Sequence, residues 1–206
     1  MDSIIFDLDG TLWDSRETVV AAWNEVIRKH AGVSRELSSQ DFKQTMGLQI
    51  KEIGKVFFPD LDEHQRELLL QACCKLEAQH IGQRGGLLYP GVEQILQVLS
   101  KKYKLYIVSN CQDGYIESFY QYHKLEKYFQ DYENPGRTGL SKGENIALIM
   151  KRNQLEAPVY VGDTEGDLKG AIYAGVPFVF AKYGFGNVHT YDYAIETFEE
   201  LLDIFA

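Results

Sequence analysis

The chain has 206 residues, 45% of them hydrophobic and 25% charged, with a net charge of −9 and a pI near 5.1. Such a composition excludes disorder and a broad basic face for nucleic acid, while its acidity suits the binding of a cation. Cys73, Cys74 and Cys111 lack metal-type spacing and no apolar run reaches membrane-spanning length, so reduced thiols in a cytoplasmic, signal-free protein are expected.

The first predicted element is the strand in "SIIFDLDGT", whose apolar residues Ile4, Ile5 and Phe6 run straight into Asp7, Asp9, Gly10 and Thr11. From about Ser15 to Gly82 the pattern turns helical, and no strand is predicted there. Val19, Val20, Trp23, Val26 and Ile27 form a stripe at helical spacing, which reads as packing. Ser38 or Ser39 is placed to cap the next helix. "TMGLQ" (Thr45–Gln49) interrupts the helical pattern with a glycine, which could end one helix or bring a loop to a substrate. A further helix over Asp62–Ile81 carries Leu69, Ala72, Leu76 and Ile81 on one side, and "GQRGG" (Gly82–Gly86) reads as a flexible return.

Beyond this point strands and helices alternate. A helix over Val92–Lys101 precedes a strand over Lys104–Asn110. A helix over Tyr115–Tyr122 precedes a weaker strand over Phe129–Glu133, and a helix over Lys142–Asn153 precedes strands over Pro158–Asp163 and Pro177–Tyr183. The strands are apolar nearly throughout, as strands covered on both faces are. Alternation of this kind implies a Rossmann-like α/β fold with a parallel sheet. The expected domains are an α/β core (1–14 and 83–206) and an inserted helical cap (15–82). "GFGN" (Gly184–Asn187) is expected to be a surface loop.

In an open parallel sheet, ligands bind at the carboxyl ends of the strands. Asp7 and Asp9 end the first strand, Ser109 and Asn110 the second, and Asp163 a later one, with Asp167 one helical turn on; Lys142 starts a helix between them. Converging carboxylates repel unless a hard cation sits among them, and magnesium suits oxygen ligands while leaving room for a phosphate. Ser109 and Lys142 offer the donors and positive charge that a phosphoryl group needs. A free carboxylate can attack phosphorus, and the second acid can move the proton.

"DLDGT" (Asp7–Thr11), "VSN" (Val108–Asn110), "SKGENI" with Lys142, and "GDTEGD" (Gly162–Asp167) resemble, in order, the four motifs of the haloacid dehalogenase superfamily of phosphohydrolases. The helical insertion is similar to the cap of its phosphoglycolate-phosphatase-like branch. The resemblance implies that Asp7 is the nucleophile and Asp9 the general acid/base. It implies that the Asp7 side chain, the Asp9 carbonyl and Asp163 hold Mg2+, with Asp167 as a more remote or water-mediated ligand. It further implies that Ser109, Asn110, Lys142 and Thr11 contact the phosphorylated substrate. One departure is visible: Gly143 follows the lysine where many relatives carry proline.

The expected activity is phosphoglycolate-phosphatase-like hydrolysis of a small phosphomonoester, with a phosphoglycolate- or sugar-phosphate-sized leaving group ahead of a polymer or protein, by a monomer or weak homodimer, with neither nucleic acid nor membrane as partner. A sugar phosphomutase of the beta-phosphoglucomutase type would use the same residues. A 2-haloacid dehalogenase needs neither magnesium nor an acid at position 9, and a non-catalytic regulatory module would be free to lose parts of the set. Segment 15–82 carries nearly balanced charge, and Met46 and Gln49 are the expected points at which it reads the leaving group.

Overall fold

The computed structural model describes residues 1–30 and 32–205. In chain order these form β1 (Ser3–Phe6), β2 (Trp13–Asp14), α1 (Arg16–Ile27), α2 (Ser39–Thr45), α3 (Ile50–Phe57), α4 (Glu63–Arg84) and β3 (Leu87–Leu88). There follow α5 (Val92–Leu99), β4 (Lys104–Val108), α6 (Tyr115–His123), β5 (Phe129–Glu133), α7 (Pro135–Thr138), α8 (Lys142–Asn153), β6 (Pro158–Gly162), α9 (Glu165–Ala174), β7 (Phe178–Ala181), β8 (Tyr193–Ile195) and α10 (Leu201–Phe205).

Successive side chains of a strand point to opposite faces, and here both faces are apolar. Ile4 and Phe6 enter one hydrophobic cluster and Ile5 enters the other; Leu105 and Ile107 divide from Tyr106 and Val108 in the same way. The sheet has the order β5-β4-β1-β6-β7-β8, and every pairing in it is parallel. The chain therefore winds outward in both directions from β1. That reversal opens a crevice at the carboxyl end of β1, which is where doubly wound sheets bind ligands. This is the expected Rossmann-like α/β architecture, with β8 as an additional edge strand.

Segment 15–82 contains α1 to α3 and nearly all of α4, and is entered and left through the antiparallel pair β2–β3, with Trp13 opposite Leu88. Trp23 anchors its interior, meeting Phe42 and Phe57 edge-on and stacking on Phe58. Ser38 caps α2 and Asp62 caps α4, each through a reciprocal pair with the residue three positions on. Two expectations need correction. Gly82 and Arg84 belong to α4, which ends at Gly85 with φ +66, so "GQRGG" is mostly helix rather than a flexible return. Ala72 faces solvent. The buried face of α4 is formed by Leu69, Leu70, Cys73, Glu77, His80 and Ile81, because α1 and α6 both pack against this helix. Among the described residues, no helix is long and apolar enough to cross a membrane.

The start of α8 sets the position of Lys142. Ser141 accepts from the Glu144 amide, and the Glu144 carboxylate accepts from the Ser141 amide at 2.8 Å. Ser141→Ala should lower stability by about 1 kcal/mol, the usual worth of an N-cap, as a reduced urea midpoint with an unchanged slope.

Candidate active site

Parallel register gathers the strand ends. Phe6 lies level with Ile107 and Val161, so Asp7, Ser109 and Asp163 leave the sheet on one rim. Lys142 reaches this rim from the first turn of α8. Its ammonium donates to Asp7 Oδ1 at 2.9 Å and to Asp167 Oδ1 at 2.5 Å, and all three side chains are buried.

The electrostatics are those of three carboxylates sharing one lysine. Burial and repulsion from Asp167 push Asp7 up to about 7, against the pull of Lys142. Burial, then Asp167 and Asp7, raise Asp163 well above the carboxylate range. Burial opposes the charge on Lys142, but the two carboxylates outweigh it and raise its pKa, so it remains protonated. A divalent cation would relieve the excess negative charge.

The residues fit such an ion. Asp7, Asp163 and Asp167 can each offer an oxygen within 4.8 Å of the others. Asp163 Oδ1 is buried without a hydrogen-bond partner, while its Oδ2 accepts from the Phe185 amide at 2.6 Å. Asp167 is differently placed. Oδ1 is held by Lys142 and by the Tyr160 hydroxyl at 3.2 Å, and Oδ2 by the Thr164 hydroxyl and the amides of Thr164 and Asp163. Asp167 thus braces the lysine and the loop after β6, and Asp7 and Asp163 are the carboxylates with oxygens to spare.

Asp9 is half-buried beside this cluster. Ser15 Oγ and the Tyr115 hydroxyl both donate to its Oδ1, at 2.6 and 2.8 Å. Its surroundings raise its pKa to about 6, against the lowering effect of those two hydrogen bonds. The carboxyl is therefore fixed by one oxygen, and its raised pKa brings the protonated form that a general acid requires within reach at mildly acidic pH.

Asp7, Asp9, Ser109, Asn110 and Lys142 line one cavity of about 60 Å³. Segment 15–82 roofs it with Val19, Trp23, Phe42, Met46, Leu48 and Ile53, together with the buried Glu77. The Asn110 side-chain amide donates to the Gly47 carbonyl at 2.7 Å, joining roof to floor. Gly47 has φ +82, a conformation that glycine adopts without strain. Met46 lines the cavity, whereas Gln49 caps α3 and does not. Thr11 does not line it either: its hydroxyl is buried without a partner and its carbonyl accepts from the Tyr183 hydroxyl.

The loop Gly184–Asn187, expected at the surface, instead closes on the site. The Phe185 amide binds Asp163, and a Cβ on Gly184 or Gly186 would collide with Asp163. Backbone contact leaves no side-chain signature, which is why the sequence favours a surface loop over the alternative, an approach to the active site, that the structure shows. Tyr115, Tyr160 and Glu77 were also missed. Thr164 was legible in principle, since Thr-x-x-Asp is a capping-box spacing.

The family model described as "Haloacid dehalogenase-like hydrolase" matches residues 4–181. The chain is similar to the phosphoglycolate phosphatase of Synechococcus elongatus, with 29% identity covering 98% of this chain and 96% of that protein. It is similar to the enzyme of the same name from Vibrio vulnificus at 28%, covering 98% and 94%. A haloacid dehalogenase-like hydrolase structure from Streptococcus pneumoniae superposes with a TM-score of 0.86 at 24% identity, covering 100% and 99%. The phosphate complex of CbbY from Rhodobacter sphaeroides superposes with a TM-score of 0.81 at 18%, covering 98% and 96%; both structures share the fold.

The Gly184 contact yields a prediction. Gly184→Ala should push the Asp163 carboxylate aside and raise, by roughly 10- to 100-fold, the magnesium concentration that half-maximally raises the melting temperature, with the circular dichroism spectrum unchanged.

Proposed function

We propose that this chain, which belongs to the haloacid dehalogenase-like hydrolase family and is one of its phosphatases, hydrolyses a small phosphomonoester with magnesium as cofactor and a phosphoryl group carried on Asp7. One observation carries the proposal. Asp7 lines the cavity with one oxygen fixed by Lys142, while among the described residues nothing donates to the other.

Magnesium held by Asp7, Asp163 and the Asp9 carbonyl would supply charge neutralisation for the phosphoryl oxygens. Ser109 and Lys142 bind and orient the same group. Asp7 Oδ2 attacks phosphorus, the ester bond breaks, and the leaving oxygen takes a proton from Asp9. Asp9 then removes a proton from water as that water attacks the phosphorus of the aspartyl-phosphate. Inorganic phosphate leaves and Asp7 is restored. Asp167 keeps Lys142 and the loop after β6 in place.

Residues 1–14 and 83–206 act in this account as the catalytic core and 15–82 as a cap that opens for exchange and closes to exclude water. Three free cysteines accord with work in the reducing cytoplasm.

Two outcomes test the chemistry. Asp7→Asn should abolish turnover of an aryl phosphate even in excess magnesium, with the fold retained by circular dichroism; retained activity would remove Asp7 from the reaction. Asp9, with its pKa raised to about 6, is the proton donor only below that value. In rapid-quench experiments at saturating magnesium, which keeps Asp7 ionised, phosphorylation of the enzyme by an alkyl phosphate should therefore slow above about pH 6, by roughly tenfold per unit at the limit, and far less with an aryl phosphate.

A further inference from the structure

The roof of the cavity holds a buried carboxyl group for which the reaction has no use. Glu77, in the interior of α4, is 4% exposed. One oxygen accepts from the Trp23 indole N–H, and the other accepts from the Gln112 side-chain amide at 2.9 Å. Both donors are neutral. Neither the ion pairs of the described residues nor the groups acting on Glu77 include a cation near it, and burial accordingly raises its pKa to about 7.

A carboxylate that served only to hold Trp23 and Gln112 would be replaceable by glutamine without the cost of burying a charge, its oxygen accepting from Trp23 and its amide donating to the Gln112 side-chain oxygen once that amide turns over. Its position argues for more. Gln112 lies three residues beyond Ser109 on the loop after β4, so Glu77 stands over the floor that would bind phosphate. Val19, Trp23, Phe42 and Ile53 line the same cavity, and the charge that acts on Glu77 there is the repulsion of Asp9. No Lys, Arg or His of segment 15–82 lines the cavity, and Lys142, its one basic residue, is committed to Asp7 and Asp167.

We infer that the leaving group of the substrate carries a positive charge, so that the phosphomonoester is that of a short amino alcohol whose ammonium group pairs with Glu77. The pairing supplies the missing cation, adds charge-assisted donors to the free lone pairs of the carboxylate, and leaves the alkyl chain against Trp23 and Phe42. The same site repels a leaving group that bears a carboxylate, because such a group would meet Glu77 in a low-dielectric cavity with nothing positive to receive it. This inference rests on the phosphatase reading and assigns its substrate class.

Three esters of matched length separate the possibilities: 2-aminoethyl phosphate, 2-hydroxyethyl phosphate and carboxymethyl phosphate, compared by kcat/KM with magnesium. The expected order places the ammonium ester about 10- to 100-fold above the neutral one, the range of a charged hydrogen bond, and the carboxylate ester last. In Glu77→Gln the ratio of ammonium to neutral ester should collapse toward unity, while the melting temperature without substrate holds or rises because a buried charge is gone. A carboxylate ester turned over as well as the ammonium ester, or an unchanged ratio in Glu77→Gln, overturns the inference while leaving the phosphatase reading intact. Failure of the wild type on all three esters and on an aryl phosphate removes both.

Discussion

Everything at the mouth of this sheet depends on keeping three carboxylates around one buried ammonium. Asp7, Asp163 and Asp167 repel one another, and Lys142 can neutralise only part of their charge. The fold resists that repulsion with backbone rather than bulk. Gly10, at φ +85, passes so close to the Asp163 carboxylate that a Cβ would not fit; Gly184 approaches the same side chain as closely, and Gly186 meets the Asp163 main chain. Gly162 leaves room for Asp167 in the same way. A cluster held this tightly without sufficient countercharge is preorganised for a cation and a phosphoryl group, since no reorganisation is needed when they arrive.

The division of labour follows from topology. Strands β1, β4 and β6 deliver charged and polar groups to one rim, and these groups can read only what every phosphomonoester shares. The roof, by which the leaving group is proposed to be read, is lined by apolar side chains with Thr45 and Glu77 as its polar members. Roof and floor meet through few polar contacts, among them Asn110 with Gly47 and Gln112 with Glu77. Contacts of that number and strength suit a cap that exchanges between closed and open states.

The sequence was most legible where a local rule decides the outcome. Buried runs such as "KLYIV" and "PVYVG" became strands because they are short and rich in β-branched and aromatic residues, and α8 begins at Lys142 because Ser141 and Glu144 close a capping box. The convergence of Asp7, Asp9, Ser109 and Asn110 on one cavity follows from parallel order, and the start of α8 adds Lys142. Illegible features depended on distant partners. Glu77 resembles any helical surface glutamate until Trp23, 54 residues away, and Gln112, 35 residues away, bury it. Strand β8 is short and partly exposed, and is defined by its pairing with β7 rather than by pattern. The approach of Gly184–Asn187 to Asp163 uses backbone atoms, which side-chain periodicity does not report.

The central claim is that the phosphoryl group passes through Asp7. Quenching steady-state turnover with borohydride converts an aspartyl-phosphate to homoserine, and peptide mass spectrometry locates the change. The account predicts homoserine at position 7, dependent on both magnesium and substrate, with positions 9, 163 and 167 unmodified. Modification at another of these aspartates would contradict it, as would an unmodified Asp7 in an Asp9→Ala variant that still releases an alcohol burst from an aryl phosphate.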